Sequence, residues 1–457
     1  MSRRAPKFEL ASFANRTLLA MTAWITRDRG IAGEVTALAA ANLASQVVAV
    51  SAVLVLTRLY SPADFGVYAA ALSVVSIILV TGCLRFEQAI PIAESRSQAA
   101  GLIVLSSIVG AVVLVIAGAA LLLLEPAIRG ALGLQSLAPF IGLILLAGAG
   151  GIMGVVLHGW AVRTRAFTDL AQARVSAALG LVVAQVGLGL WGAGATRLLL
   201  GDALGRAIGT VRLARRLWRE EGAWIRGVRL SSLPGLADRY RRFPIFSGPS
   251  ALLNVVNQQV PTVAVVAMFG SAVAGTFMLA IRVVNLPNGL ALAAIAPVFV
   301  AESARLRHDH EALRQLFDKT ARRLLLLGVG PATLIVIAAP TISPVVFGEE
   351  WSDAGIYAAL LAPMALVQLV SAPMSGILSV IERQDLHLAR EIVTVVLLMV
   401  VVTLSAANEW TAVPTVAAFS AVGTVSAVGY FTAMRHAIGA VGSTGAPPDP
   451  PRIDRVP

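Results

Sequence analysis

An arginine inside an apolar stretch is the residue of this sequence best suited to chemistry. Arg282 lies near the middle of the stretch 272–298, and Asn285 and Gly289 follow it at helical spacing. An arginine at the centre of a membrane helix costs about 2.5–3.5 kcal/mol on insertion scales, so it is retained there for a reason. Its planar fork of N–H donors suits an anion such as a phosphate. We predict that Arg282 binds an anionic group, with a structural ion pair as the alternative.

Polar side chains recur at spacings of three and four residues in four apolar stretches, which places them on one helix face in each. Such a face in a membrane helix turns toward a cavity or another helix, not toward lipid. A wall that contacts a substrate and simple hydrogen bonding between helices explain these faces equally well. The candidates for a cavity wall, with two arginines at the ends of stretches, are Asn42, Gln46, Arg58, Arg85, Asn254, Asn257, Gln258, Asn285 and Gln368.

Three further charged residues interrupt or border apolar stretches. Asp202 and Arg206 are four residues apart, so they can pair on one helix face and staple it to its surroundings. The alternative to this structural role is a functional one, in which Asp202 or Glu87 couples transport to protons. Prolines inside apolar stretches remove a backbone hydrogen bond and can act as hinges or as inert kinks. The hinge candidates are Pro261, Pro287, Pro363 and Pro373.

The elements that must position these residues are membrane-spanning helices. The chain has 457 residues, of which 57% are hydrophobic and 13% are charged, and its mean hydropathy is +0.80. Soluble proteins carry roughly 25% charged residues, and apolar runs near twenty residues have the length of a spanning helix rather than a barrel strand. We predict an all-α polytopic protein with about twelve spans, at 34–56, 65–83, 99–123, 137–158, 175–191, 195–213, 246–268, 272–298, 323–340, 354–380, 388–406 and 413–434.

The basic residues predict the orientation of these spans. The net charge is +11, and most arginines fall in alternate gaps, which is typical of the cytoplasmic side. The opposite gaps, including 57–64, 269–271 and 341–353, are short and hold few arginines. We therefore expect both termini in the cytoplasm and no nucleic-acid partner. The predicted parts are a basic tail with an interfacial amphipathic helix at 1–33 (a disordered tail is the alternative), six-helix bundles at 34–213 and 246–435, a basic linker at 214–245 and a disordered Pro-rich tail at 436–457.

A faint internal repeat supports the division into two halves. The segment YSPADFGVY at 60–68 meets FGSAVAGTF at 269–277 when the chain is shifted by 209 residues, so that Gly66 aligns with Gly275. Two related halves with a substrate between them are a common plan of transporters. Any two short turns on the same side of a membrane could also look alike.

Signatures of enzymes and metal sites are missing. The sequence has no GxxxxGK[ST], HExxH or GxSxG motif, and its five histidines do not cluster within one span. Cys83 is the single cysteine, so neither an intrachain disulfide nor a Cys-based zinc cluster can form. The short outer gaps leave no large loop to hold the acceptor of a polymerase or ligase. We expect no catalytic residue, no metal and no cofactor, while coupling to a proton gradient, a sodium gradient or the membrane potential stays open.

Three long stretches carry a family resemblance. The stretch 56–94 begins LTRLYSPADFGVYAAAL, 243–302 begins FPIFSGPSALLNVVNQQ, and 349–384 begins EEWSDAGIYAALLAPM. They resemble the bacterial polysaccharide biosynthesis proteins, which are the O-antigen and exopolysaccharide flippases of the multidrug/oligosaccharidyl-lipid/polysaccharide (MOP) exporter superfamily. The resemblance covers most of 34–435.

This resemblance implies a function and a place. It implies two six-helix bundles in a V, whose cavity opens to one side of the bacterial plasma membrane at a time. The implied substrate is a polyprenyl-pyrophosphate-linked oligosaccharide, with membrane lipids and the polymerase and glycosyltransferases of the same pathway as partners. A cationic cavity would suit the pyrophosphate, and Arg58, Arg85, Arg206 and Arg282 are the arginines in or beside the spans. An ion-coupled multidrug antiporter of the same superfamily is the first alternative, and a membrane polymerase or ligase is the second.

Overall fold

A computed structural model describes residues 31–124 and 135–443, and these residues form helices without any strand. The predicted tails at 1–30 and 444–457, and the segment 125–134, lie outside the described residues. The α-helices are α1 (Ile31–Leu59), α2 (Pro62–Gly82), α3 (Arg96–Leu123), α4 (Ile141–Arg163), α5 (Phe167–Leu190), α6 (Ala195–Arg226), α7 (Leu233–Arg239), α8 (Gly248–Val284), α9 (Leu286–Arg305), α10 (His310–Phe347), α11 (Ser352–Ser371), α12 (Ile377–Val380), α13 (Asp385–Ala407) and α14 (Ala412–Ser443).

The described helices confirm an all-α protein that crosses a membrane several times. Nine helical segments in the described part of the chain are long and apolar enough to span a bilayer. One of them, 243–305, has 63 residues, which exceeds the length of two crossings at about 20 residues each. Helix α6 is not among the nine and α1 counts only as a shorter apolar helix. The number twelve and the side on which each terminus lies stay predictions.

Two interruptions divide the longest segment. Gly270 has φ +82° and ψ 179°, a conformation that side chains with a Cβ rarely adopt, and it separates the two predicted spans within α8. Asn285 then separates α8 from α9, and Pro287 lies in the first turn of α9. The predicted span 272–298 is therefore a broken helix rather than a continuous one. Proline has no backbone N–H. At the start of α9 this costs nothing, because the N–H groups of the first helical turn have no partner within the helix.

The linker between the predicted halves is helical as well. Helix α6 continues past the predicted end of its span to Arg226, and α7 and a short π-turn at Phe243–Ser247 lead into α8. Trp218 and Trp224 on this extension are exposed beside its arginines. Exposed tryptophan next to arginine is typical of the membrane–water interface.

The two predicted halves pack through the repeated turns. A Cβ atom on Gly66 of α2 would overlap the carbonyl oxygen of Ser271, and one on Gly275 of α8 would overlap the carbonyl oxygen of Pro62. The two contacts are related by the same shift of 209 residues as the sequence repeat. Helices α2 and α8 thus cross with their backbones in direct contact, as small residues permit in membrane proteins. The faint repeat corresponds to a two-fold-like interface between the halves.

A buried core continues across this crossing. Leu56, Phe65 and Tyr68 of the first half belong to the same apolar cluster as Phe277 and Trp351 of the second. A second cluster, around Phe299 and Phe317, lies wholly within the second half. The halves are therefore joined at the end that holds the turns near 60, 270 and 348, which we name the turn end.

Replacing Gly66 by alanine is expected to lower the thermal stability of the purified protein. The added methyl group must push the α2 and α8 backbones apart, and overpacking of this kind costs about 1–3 kcal/mol. Gly187→Ala on α5 is the control, because a Cβ there meets nothing within 4 Å and alanine is the better helix former. The unfolding temperatures of both variants in detergent would measure these effects. Equal temperatures for Gly66→Ala and the wild type would contradict the close contact between α2 and α8.

Candidate functional site

Arg282 belongs to a cluster of charged and aromatic side chains where the halves meet. The Tyr68 hydroxyl donates a hydrogen bond to Oδ1 of Asp202 at 3.3 Å, and Nε of Arg206 donates to Oδ2 of Asp202 at 2.6 Å. The Arg282 guanidinium lies 5.7 Å from the centre of the Tyr68 ring, a cation–π distance. We name Tyr68, Asp202, Arg206 and Arg282 the central cluster. It combines α2 and α6 of the first half with α8 of the second.

The central cluster carries a net positive charge. Asp202 is almost completely buried and pairs with Arg206, so this pair is neutral as a unit. Arg282 is half-buried, and it forms no ion pair with any carboxylate whose side chain the structure describes. It lies twelve residues beyond Gly270, or about 18 Å along a helix, which places its Cα deep in the span. One positive charge is therefore available to a ligand in the interior of the protein.

Polar contacts between the halves continue away from the turn end. Ser73 of α2 donates a hydrogen bond to Oε1 of Gln259 in α8 at 2.8 Å. A Cβ on Gly289 of α9 would lie 2.6 Å from Nε2 of Gln46 in α1, so the Gln46 side chain packs on the α9 backbone. The predicted wall residue Gln46 thus lies at the interface, and Ser73 and Gln259 extend it. Gln259 was not among the predicted wall residues.

The turn end is closed by hydrogen bonds between the halves. The Arg58 guanidinium donates to the carbonyl oxygens of Val345 and Val346 at 2.9 and 3.1 Å. The Trp351 indole N–H donates to the carbonyl of Thr57 at 3.1 Å, and the Trp351 ring meets Phe65 edge-on at 5.0 Å. Arg58 therefore lies at this closure rather than in the central cluster. The three short loops that the sequence places on one side of the membrane lie together here.

A second polar cluster lies inside the second half, away from the contact between halves. Asn254 and Asn257 of α8 both donate side-chain N–H groups to the carboxylate of Glu391 on α13, and Gln258 donates to Asn254. Glu391 is 1% exposed. We name Asn254, Asn257 and Gln258 the α8 stripe. The α8 stripe faces α13, so hydrogen bonding between helices, rather than contact with a substrate, explains these polar residues. Sequence reasoning missed Glu391, since it lies in the second turn of its helix beside Arg390, where a surface pair is the ordinary expectation.

The remaining predicted wall residues lie apart from both clusters. Asn285 is exposed at the break between α8 and α9 and accepts a hydrogen bond from Asn288 at 3.2 Å. Gln368 is half-buried on α11. The side chain of Asn42 lies outside the described residues. Their roles in binding stay predictions.

Arg85 and Glu87 form a small ion pair in the turn between α2 and α3. Nη1 of Arg85 lies 3.8 Å from Oε1 of Glu87, and Arg85 has a left-handed backbone with φ +66°. Glu87 is buried, and its Oε2 has no hydrogen-bond partner among the described residues. This pair is separate from Asp202 and Arg206, which show the pairing that their spacing predicts.

The four predicted hinge prolines divide into two groups. Pro287 and Pro373 coincide with interruptions: Pro287 follows the break at Asn285, and Pro373 lies in the 3-10 turn where α11 ends. Pro261 and Pro363 lie inside α8 and α11, which continue through them. The sites of bending are therefore at Gly270, Asn285 and the end of α11. Movement at any of them stays a prediction.

The fold matches transporters of known structure. One is an inward-facing multidrug resistance MATE family transporter of the MOP superfamily, with a TM-score of 0.63, 15% identity, and coverage of 90% of this chain and 96% of that chain. Another is a MOP superfamily transporter from Pyrococcus furiosus, with a TM-score of 0.56, 14% identity and the same coverage. At these identities the likeness concerns the fold alone. The protein has the MOP transporter fold, as its family resemblance implied.

The sequence identifies the family within that fold. Residues 55–356 match the family described as polysaccharide biosynthesis protein. This match covers well over half of the chain, so the chain belongs to that family. The family resemblance is confirmed, and the match contains the stretches 56–94 and 243–302 and the first residues of 349–384.

Two curated relatives carry names from polysaccharide synthesis. The succinoglycan biosynthesis transport protein ExoT of Rhizobium meliloti is 27% identical over 314 residues, which cover 67% of this chain and 60% of that protein. The lipopolysaccharide biosynthesis protein WzxC of Escherichia coli is 25% identical over 145 residues, or 32% of this chain and 30% of that protein. The matches thus span less than two thirds of either relative. Relatives of this chain serve in transport and in polysaccharide synthesis.

Breaking the buried pair of the central cluster is expected to destabilise the protein. Asp202→Ala leaves Arg206 without its counter-charge, and losing one partner of a buried pair costs about 3–5 kcal/mol. The double variant Asp202→Asn, Arg206→Gln removes both charges and should recover most of the loss. Thermal unfolding of the two variants would measure this, and equal destabilisation by both would rule out an uncompensated Arg206 as the cause.

The turn at Glu87 is expected to make stability depend on pH. Burial raises the pKa of Glu87, while hydrogen bonding to its own backbone N–H and the nearby Arg85 oppose the rise. Because the folded pKa lies above the unfolded one, the contribution of Glu87 is fully present below about pH 4.3 and is lost as the pH rises through the folded pKa. The Glu87→Gln variant has no carboxyl to ionise at this position and so does not lose this contribution. Its unfolding temperature, relative to that of the wild type, should therefore rise as the pH is raised from acidic to neutral. A difference that does not change with pH would refute this.

Proposed function

We propose that this protein is a flippase that moves a polyprenyl-pyrophosphate-linked oligosaccharide across the bacterial plasma membrane for the synthesis of a surface polysaccharide. Family membership and the name of the succinoglycan transport relative support a role in polysaccharide transport. The observation that carries the proposal is Arg282, an unneutralised cation deep in a span and at the contact between the halves. A pyrophosphate is a ligand that such a guanidinium binds well.

An apolar cavity in the second half suits the lipid part of such a substrate. It has a volume of about 300 Å³, and its lining begins at Val284 of α8. Its wall is formed by α9, α10 and α11, including Pro287, Pro331 and Leu369. Because the protein holds both an interior cation at Arg282 and this hydrocarbon surface, we expect it to favour an amphipathic substrate over a purely polar sugar.

The mechanism that we propose is alternating access of the two halves. In the described structure the halves are joined at the turn end by Arg58 and Trp351. Opening this end requires the loss of those hydrogen bonds and of the contacts at Gly66 and Gly275. The broken helix at Asn285 provides a point where α9 can move without unfolding α8. We expect the termini in the cytoplasm, and membrane lipids, a polymerase and glycosyltransferases as partners.

The drug-antiporter alternative fits the central cluster less well. A binding site for cationic drugs needs a free carboxylate, and Asp202 is already engaged by Arg206 and Tyr68. The net charge of the central cluster is positive, which disfavours a cation. The solved multidrug transporters share the fold at 15% identity or less, so they do not favour that function for this chain.

Deleting the gene is expected to leave lipid-linked repeat units on the cytoplasmic leaflet and to remove the surface polysaccharide. The class of substrate follows from whichever glycan is lost. Surface labelling and the accessibility of the lipid-linked units would measure the two effects. An unchanged surface polysaccharide in a strain without a paralogue would refute the proposal.

Arg282→Ala is expected to abolish export while the protein remains inserted and abundant. Arg282→Lys should retain part of the export, because a point charge replaces the fork of donors that binds phosphate in two places. Arg197→Ala at the start of α6, where the half-buried arginine donates to the nearby Ala193 carbonyl, is the matched control and should export normally. Complementation of the deletion strain would measure all three. Normal export by Arg282→Ala would show that the residue takes no part in transport.

A further inference from the structure

The helical linker between the halves encloses a polar cavity against the first half. This cavity has a volume of about 510 Å³ and lies between the start of α3, the end of α6 and α7. The polar part of its wall consists of two arginines and three neutral side chains, which are Ser97, Gln98, Arg229, Ser232 and Arg239. Guanidinium and hydroxyl groups supply the N–H and O–H donors that an anion requires. We name it the linker cavity.

The two sides of the linker cavity are held together by packing and by an ion pair. Leu233, at the start of α7, is buried in the apolar core. A Cβ on Gly101 of α3 would lie 2.8 Å from Cδ2 of Leu236, so α7 packs closely on α3. The Arg239 guanidinium donates a hydrogen bond to the carboxylate of Glu94, just before α3. The cavity is therefore enclosed by elements that the fold fixes relative to one another.

The charges around the linker cavity leave a positive excess. Segments 94–98 and 226–242 together contain six arginines and two carboxylates. Arg239 is paired with Glu94. The Arg229 guanidinium forms no ion pair and no hydrogen bond with any residue that the structure describes, and it is exposed. An anion in the cavity would therefore meet one guanidinium whose donors are all available.

An exposed apolar face of α3 leads away from the linker cavity. At spacings of three and four residues, this face contains Ser97, Gly101, Val104, Ile108, Val112 and Val115. Ile108, Val112 and Val115 are 42%, 51% and 72% exposed, and α3 is one of the helices long and apolar enough to span a bilayer. Ile108 and Val112 lie roughly 16 and 22 Å from Ser97 along the helix axis. A free phosphate would use the cavity alone, whereas a phospholipid would use the cavity and this face.

The depth of the linker cavity suits a lipid headgroup. Trp224 is exposed and precedes Gly227 of the cavity wall by about one helical turn. The Arg226 guanidinium lies 5.5 Å from the centre of the exposed Trp218 ring. Tryptophan is enriched at the membrane–water interface, where headgroups lie. The cavity is therefore at the level of the headgroups of the leaflet on the linker side.

We infer that the linker cavity binds the phosphate headgroup of an anionic phospholipid, whose acyl chains lie along the exposed face of α3. The Arg229 guanidinium donates N–H groups to the phosphate oxygens, and the Ser97 hydroxyl adds a further donor. A zwitterionic lipid brings its own cation into a region of positive excess, so the anionic lipid is preferred. The bound lipid contacts α3 and the linker together and so holds the linker on the first half. This site is separate from Arg282 and does not depend on the proposed transport function.

Native mass spectrometry of the full chain released from detergent micelles measures lipid binding directly. The wild type is expected to bind its first phosphatidylglycerol more tightly than its first phosphatidylcholine. Arg229→Ala should weaken the binding of phosphatidylglycerol about tenfold, the effect expected from losing one hydrogen bond to a charged group, and Arg229→Lys should weaken it less. Arg314→Ala removes an exposed arginine of α10 and is the matched control, which should bind as the wild type does. Equal weakening by Arg229→Ala and Arg314→Ala, or equal binding of the two lipids by the wild type, would overturn the site.

Gly235 in the cavity wall gives a second test. A Cβ at this position meets nothing within 4 Å, so a longer side chain can extend there without a clash. Gly235→Glu brings a negative charge to the wall and should weaken the binding of phosphatidylglycerol more than Gly235→Gln, which has the same shape. Inorganic phosphate at millimolar concentration should not displace the lipid from the wild type. Equal binding by the two variants would contradict an anion in the cavity, and displacement by phosphate would overturn the lipid assignment in favour of a free anion.

Discussion

The contact between the α2 and α8 backbones at Gly66 and Gly275 is the constraint on which the rest of the structure depends. In a membrane the hydrophobic effect does not draw helices together, so close packing and hydrogen bonds must do so. A side chain at either glycine would meet a backbone carbonyl, on Ser271 in one case and on Pro62 in the other. The approach of these two helices brings Tyr68 to Arg282 and Ser73 to Gln259.

Buried charge is distributed differently in the two halves. In the first half Asp202 is neutralised by Arg206 on the same helix, and the Tyr68 hydroxyl satisfies a further lone pair. In the second half Glu391 is satisfied by amides from another helix as well as by Arg390. The first arrangement leaves Arg282 as the excess charge, and the second ties α8 to α13. Helix α8 thus takes part in both, which makes it the element through which the two sites can influence one another.

Many residues of the candidate site could be predicted from their types, but which of them lie close together could not. Depth and charge singled out Arg282, and spacing singled out the Asp202–Arg206 pair, since both depend on local sequence. The partners of the α8 stripe depended on which helix lies beside it. Asn254 and Asn257 are equally compatible with a cavity wall and with a neighbouring carboxylate, and Glu391 lies more than 130 residues away in the chain. Spacing along one helix carries no information about such a contact.

The sequence by itself determined that the chain is helical and lies in a membrane, because continuous apolar runs near twenty residues admit no other solution in lipid. It also determined the family, through the stretches that match it. Tertiary structure alone decided that the span after Gly270 breaks at Asn285, that Arg58 closes the turn end, and that the α8 stripe faces Glu391. The physical reason is that hydrophobic length is a property of each segment, whereas a buried polar group is satisfied by whichever partner the packing of helices brings within hydrogen-bond distance.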